Sequence, residues 1–129
     1  MTLTLLLDTH TFLWFVNDSP ELSQTAINLL ESENELLVSI ASLWEIAIKV
    51  NLKKLILATN YQQFIPQQLA LNQIGILPIS LNHLSIYTDL PLYHRDPFDR
   101  LIIAQAMSEK LSIISIDQKL DLYEIDRQW

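Results

Sequence analysis

The sequence predicts an α/β domain of three layers, with a mostly parallel sheet covered by helices on both faces. Two observations predict it. Short apolar runs alternate with segments patterned for helices. The runs are predominantly apolar, as strands buried on both sides require.

Residues 2–7 form the first strand candidate and run straight into Asp8. Phe12, Leu13, Phe15 and Val16 follow at compact helical spacing, and Asn17-Asp18-Ser19-Pro20 ends that helix. Ser23 stands where it can cap a second helix carrying Ala26, Ile27, Leu29 and Leu30. A second strand is expected over 36–38. Ile40, Leu43, Trp44, Ala47 and Ile48 then recur at helical spacing, as one buried face would. A further helix is expected over 61–71 and a third strand over 75–79, where Pro78 marks a sheet edge or a strand end. A short helix over 81–88 follows. Asp96-Pro97-Phe98-Asp99 opens a long helix reaching Leu111, with proline at its first position. Residues 112–116 form a fourth strand that ends at Asp117, and 122–125 a fifth candidate. Neither linker nor internal repeat interrupts the chain, so residues 1–129 are read as one domain of a size that sustains a single core.

Composition removes whole classes of chemistry. The single glycine, Gly75, is too few for a phosphate-cradling P-loop, a dinucleotide-binding turn or a nucleophile elbow. The absence of cysteine removes thiol catalysis, thiolate zinc sites and disulfides. Residues 1–16 lack a basic start and carry Asp8 within the apolar run, a poor signal peptide. Residues 55–88 contain no Asp, Glu, Lys or Arg, but repeated Asn, Gln and Pro leave no span-length apolar stretch. A cytoplasmic protein with no membrane association is expected. Fifteen acids against 8 bases give a net charge of −7, which opposes non-specific binding to nucleic acid.

The acids are placed tellingly. Sites in open parallel sheets lie beyond the carboxyl ends of strands. Asp8 and Asp117 each end an apolar run, so two parallel strands would set both on one rim. Glu45, in a helix after a strand, and Asp99, in the first turn of the long helix, can join them. Converging carboxylates repel unless protonated or bridged by a cation. An all-oxygen set suits Mg²⁺ or Mn²⁺, which activate water and neutralise phosphate charge. Each acid also has a structural reading: Asp8 and Asp96 as helix caps, Glu45 in a capping box with Ser42 or an ion pair with Lys49, Asp99 favoured by the helix dipole, and Asp117 starting a turn.

Four segments together carry a family resemblance. Leu6-Leu7-Asp8-Thr9-His10-Thr11-Phe12-Leu13-Trp14 resembles the opening of a PIN domain. Residues 39–49, with Trp44-Glu45, resemble its second acidic motif. His94-Arg95-Asp96-Pro97-Phe98-Asp99-Arg100-Leu101 resembles the third in its VapC-type form, and Ile114-Ser115-Ile116-Asp117 the fourth. The resemblance implies a PIN-like five-stranded parallel sheet between helices. It implies a divalent-metal-dependent endoribonuclease using one or two Mg²⁺ or Mn²⁺ ions and leaving 5′-phosphate and 3′-hydroxyl ends. Such a protein is usually the toxin of a type II toxin–antitoxin pair, so an RNA substrate, a cognate antitoxin and a homodimer are expected. Carried over by position, the catalytic and metal-holding set is Asp8, Glu45, Asp99 and Asp117, with Asp96 left as a cap.

The remaining candidates are weighed against plainer roles. Thr9, Arg95 and Arg100 are candidates at the substrate, Thr9 supporting the site and the arginines either meeting phosphate or standing as surface or Asp-paired residues. His10 and His94 lie beside motif acids, where hydrogen bonding or packing is expected rather than general-base work. Trp14 and Trp44 are expected in the core, and Lys49, Lys53 and Lys54 at a solvated helix end. The uncharged stretch 55–88 suits a dimer or antitoxin surface, because interface cores are poor in charge. Two rivals remain. A catalytically silent PIN-fold binding module would not need the intact acids. An Asp-dependent phosphohydrolase of the dehalogenase type needs a second Asp where His10 stands. Setting the four site acids aside leaves 11 acids against 8 bases, so much of the acidity belongs to the expected metal site.

Overall fold

The computed structural model describes residues 2–129. Its elements follow in the order β1 (Thr4–Leu7), α1 (Thr9–Val16), α2 (Gln24–Glu31), β2 (Glu35–Ser39), α3 (Ile40–Asn51), α4 (Tyr61–Leu71), β3 (Ile74–Leu77), α5 (Leu81–Thr88), α6 (Pro97–Glu109) and β4 (Ser112–Ile114). A 3₁₀ turn over Gln118–Leu122 and β5 (Asp126–Gln128) complete it.

All five strands pair in parallel, in the order β3-β2-β1-β4-β5. Strand β1 is central because Leu5, Leu6 and Leu7 have no exposed surface and can be satisfied only between two partners and two helical layers. Successive side chains of a strand point to opposite faces. Leu5 and Leu7 accordingly join one core with Phe12, Leu30, Val38, Leu43, Ile46 and Phe64, under α1 to α4. Leu6 joins the other with Ile102, Ile103, Ile113, Leu120 and Tyr123, under α6 and the chain after β4. The chain runs outward from β1 to β3, then returns to lay β4 on the other side of β1. That reversal makes the carboxyl ends of β1 and β4 the topological switch point, where crevices open in such sheets.

Capping explains where the helices start. Asp8 accepts a hydrogen bond from the Thr11 amide, Ser23 from Ala26, Asn60 from Gln63, and Asp96 from Phe98 and Asp99. Pro97 occupies the first turn of α6, as expected. Pro78 lies just past β3, an edge strand.

Three expectations need correction. The helix α3 is capped by Ser39, not Ser42, whose hydroxyl is buried inside the helix, so no capping box with Glu45 forms. Its buried face is Ala41, Leu43 and Ile46, which leaves Trp44 59% exposed rather than in the core. The last strand lies at Asp126–Gln128 instead of 122–125. The residues before it curl into the 3₁₀ turn capped by Asp117, burying Leu120 and Tyr123 beneath the sheet. An edge strand needs little apolar surface, which is why the polar Asp-Arg-Gln segment can fill that place.

Candidate active site

The Asp8 carboxylate caps α1 immediately beyond the end of β1. Asp117 lies three residues beyond the end of β4, on the neighbouring strand. Asp99 enters from the first turn of α6, which Asp96 and Pro97 set. Asp8, Asp99 and Asp117 line one small gap together with Ser115, Ile102 and Leu120. Its volume is about 10 Å³, room for one water or one ion and far too small for a nucleotide.

Glu45 stands on α3 beside this gap. Its Oε1 accepts the Thr9 hydroxyl at 2.7 Å, and its Oε2 pairs with Lys49 at 3.2 Å. Burial, followed by the charges of Asp96, Glu45 and Asp8, raises the Asp99 pKa to about 6. His94 acts in the opposite direction without cancelling them. The acids therefore meet electrostatically as well as in space.

Asp117 is held differently. Burial alone would raise its pKa, but hydrogen bonds from His94 and the Lys119 amide, with the His94 charge, keep it below the usual carboxylate range. Its Oδ2 lies 2.6 Å from His94 Nε2, and its Oδ1 accepts the Lys119 amide at 3.0 Å. Its own amide donates to Ser115 Oγ.

The other sequence candidates divide. Thr9 is buried and bonded to Glu45, so it meets the site through that carboxylate. Arg95 is exposed in the loop before α6. Arg100 needs correction as a phosphate-binding residue. It is only 7% exposed, and its guanidinium donates to the carbonyls of Leu90, Pro91 and His94 while stacking 5.0 Å from the Tyr87 ring centroid. That arginine holds the loop leading to α6 and faces away from solvent. Ser115 and Tyr123 were not singled out in the sequence. Ser115 was detectable as the polar residue inside an apolar strand, whereas Tyr123 reaches His94 only through tertiary folding.

The chemistry of the donors suits a hard divalent cation, since carboxylates crowd one gap with no sulfur ligand near them. Burial is the first cause of the raised Asp99 pKa and the neighbouring carboxylates add to it, and a bound cation would offset that added charge. Among the described residues, no three His, Asp or Glu side chains already close on a single point. A much larger cavity, about 660 Å³, lies elsewhere, between the end of α3 and the start of α4, and no acid lines it.

Fold and site together define a parallel α/β domain with an acidic centre at a sheet switch point. The family model for the PIN domain matches residues 5–127, and the chain belongs to the PIN domain family. A curated relative, Ribonuclease VapC22 of Mycobacterium tuberculosis, is 30% identical over 120 residues, spanning 91% of this chain and 89% of that protein. Among solved structures, VapBC2 from Rickettsia felis bound to a promoter DNA fragment matches with a TM-score of 0.72 at 18% identity, covering 98% of each chain. FitAcB from Neisseria gonorrhoeae matches at 0.66 and 19% identity, covering 95% of each. At those identities the structural likeness is one of fold.

Proposed function

We propose that this protein is a divalent-metal-dependent endoribonuclease and the toxin of a type II toxin–antitoxin pair. The observation that carries this reading is the meeting of Asp8, Asp99 and Asp117 at one ion-sized gap, with Glu45 near enough to raise the Asp99 pKa. Asp8, Glu45, Asp99 and Asp117 would hold one or two Mg²⁺ or Mn²⁺ ions. Such an ion, when bound, lowers the pKa of water and neutralises charge developing on a phosphodiester.

The protein's own residues do the rest. Thr9 and Lys49 grip the two oxygens of Glu45 and limit its rotation. The small gap admits no base or sugar, so the RNA backbone lies across its mouth. Arg95, exposed before α6, offers a cation to an adjoining phosphate. With a net charge of −7, the protein selects RNA by shape and by contacts at the acids more than by a basic surface.

The antitoxin and homodimer readings draw on the uncharged stretch 55–88. Ile56, Leu71, Leu81 and Leu84 within it are exposed, which supports apolar contact with a cognate antitoxin and a second copy of the chain. Two structures of similar fold are a toxin–antitoxin complex from Klebsiella pneumoniae and a member of the VapBC family of toxin–antitoxin systems from Mycobacterium tuberculosis. Among the described residues no helix is long and apolar enough to cross a membrane, and the proposed place of action is the cytoplasm.

Incubation of the purified chain with a panel of structured RNAs tests the reading. Cleavage with Mg²⁺, its loss on chelation and products with 5′-phosphate ends are expected. RNA left intact across the panel at all Mg²⁺ and Mn²⁺ concentrations would count against it.

A further inference from the structure

The loop between α5 and α6 is fixed from two sides. Arg100 donates to the carbonyls of Leu90, Pro91 and His94 from beneath it. The Tyr123 hydroxyl meets the same loop from the chain after β4, accepting the His94 amide at 3.0 Å and lying 3.1 Å from His94 Nδ1. His94 is 8% exposed, and its ring packs at 5.5 Å against that of Tyr123. Both ring nitrogens are therefore engaged, and the free end, Nε2, reaches Asp117 Oδ2 at 2.6 Å.

Asp117 needs such a partner. It follows β4 by three residues, beyond the reach of the ladder, and its remaining anchors are the Ser115 hydroxyl and the Lys119 and Leu120 amides, all local. Among the described residues, His94 alone ties its carboxylate by a side chain to the part of the molecule that carries Asp99.

We propose that His94 is a positioning residue for the acidic centre, holding the Asp117 carboxylate toward the gap shared with Asp8 and Asp99 while Tyr123 holds His94. The inference rests on the metal-dependent nuclease reading and adds a residue to it. Outer partners of ligating carboxylates characteristically set metal affinity. His94 acts by orientation, so an amide donor at the same reach replaces it in part.

The test is Mn²⁺ titration of the purified chain by calorimetry, with RNA cleavage and melting temperature measured alongside. His94→Ala is expected to weaken Mn²⁺ binding by about tenfold or more. His94→Gln, which can place its amide nitrogen near the lost Nε2, recovers most of that loss. Tyr123→Phe, which removes only the hydroxyl, weakens binding by a smaller factor and lowers the melting temperature modestly, because the buried His94 amide loses its acceptor. Wild-type affinity in His94→Ala, or no recovery in His94→Gln folded as well as wild type, overturns the inference. Should His94→Ala fail to fold, Tyr123→Phe decides: wild-type Mn²⁺ affinity in that variant overturns it. A wild-type chain that neither binds Mn²⁺ nor cleaves RNA overturns the underlying nuclease reading, a result distinct from the others.

Discussion

Thr9 donates its hydroxyl hydrogen to Glu45 Oε1 at 2.7 Å, joining the residue after the first strand's aspartate to a helix 36 residues later in the chain. The bond fixes one carboxylate of the acidic centre relative to another, because Thr9 adjoins Asp8. Thr9→Val keeps the volume and β-branch but leaves Glu45 without that donor. The expected result is a loss of about tenfold or more in Mg²⁺-dependent RNA cleavage, in line with the loss of an outer hydrogen bond to a metal-holding carboxylate. Thr9→Ser should retain most of the activity. Steady-state cleavage of a short RNA compares the variants.

Asp99 gives the protein a pH signature without metal. Its folded pKa of about 6 lies above the ordinary aspartate value of 3.8, so the native state binds its proton more tightly than the unfolded chain. The sign follows from linkage: this contribution favours folding most fully below pH 3.8 and is lost as pH rises toward 6 and beyond. Asp99→Asn removes the penalty of a crowded carboxylate. Metal-free Asp99→Asn is therefore expected to melt above wild type at pH 7–8, with the gap closing near pH 4. Thermal melts in chelator across that range measure it. Added Mg²⁺ should raise the wild-type melting temperature and not that of the variant.

The two arginines before and within α6 separate structure from binding. Arg100→Ala removes a buried guanidinium that satisfies three carbonyls, and should destabilise the fold by about 3 kcal/mol. Arg95→Ala, on an exposed side chain, should leave the melting temperature unchanged. Its effect appears in RNA affinity, with a shallower salt dependence by about one phosphate contact. Urea unfolding and salt-dependent binding distinguish the two.

A scarcity of glycine leaves strain at turns. Asp18, Lys53, Gln73 and Lys110 all adopt positive φ, and Lys110 ends α6 at φ 55°, ψ 50°. A side chain in that left-handed position costs energy that glycine avoids. Lys110→Gly is expected to stabilise the protein by about 1 kcal/mol with unchanged activity. Urea denaturation at constant m-value reads the difference.

What could be read from the sequence follows from which forces are local. Asp8 and Asp117 were visible because each terminates an apolar run, and parallel strands bring such ends to one edge. Asp96 and Pro97 announced α6 because capping and the proline ring act within a few residues. Trp44 was misplaced because helical spacing identifies stripes but cannot choose between neighbouring ones; the buried stripe passes through Ala41 and Ile46 instead. The role of Arg100 is hidden from the sequence because its partners are main-chain carbonyls of a loop, and carbonyls leave no mark in a sequence. The last strand is not legible because Leu122, Tyr123 and Ile125 offer a more apolar candidate, while the actual edge strand is polar.

The acidic centre itself is tested most directly by one substitution. Asp8→Asn preserves an oxygen to accept the Thr11 amide, so α1 stays capped and the fold is kept. Cleavage of RNA by Asp8→Asn and wild type, side by side in saturating Mg²⁺, is the measurement. The account predicts that wild type cuts and the folded variant is inactive. Equal cleavage by the two would contradict it.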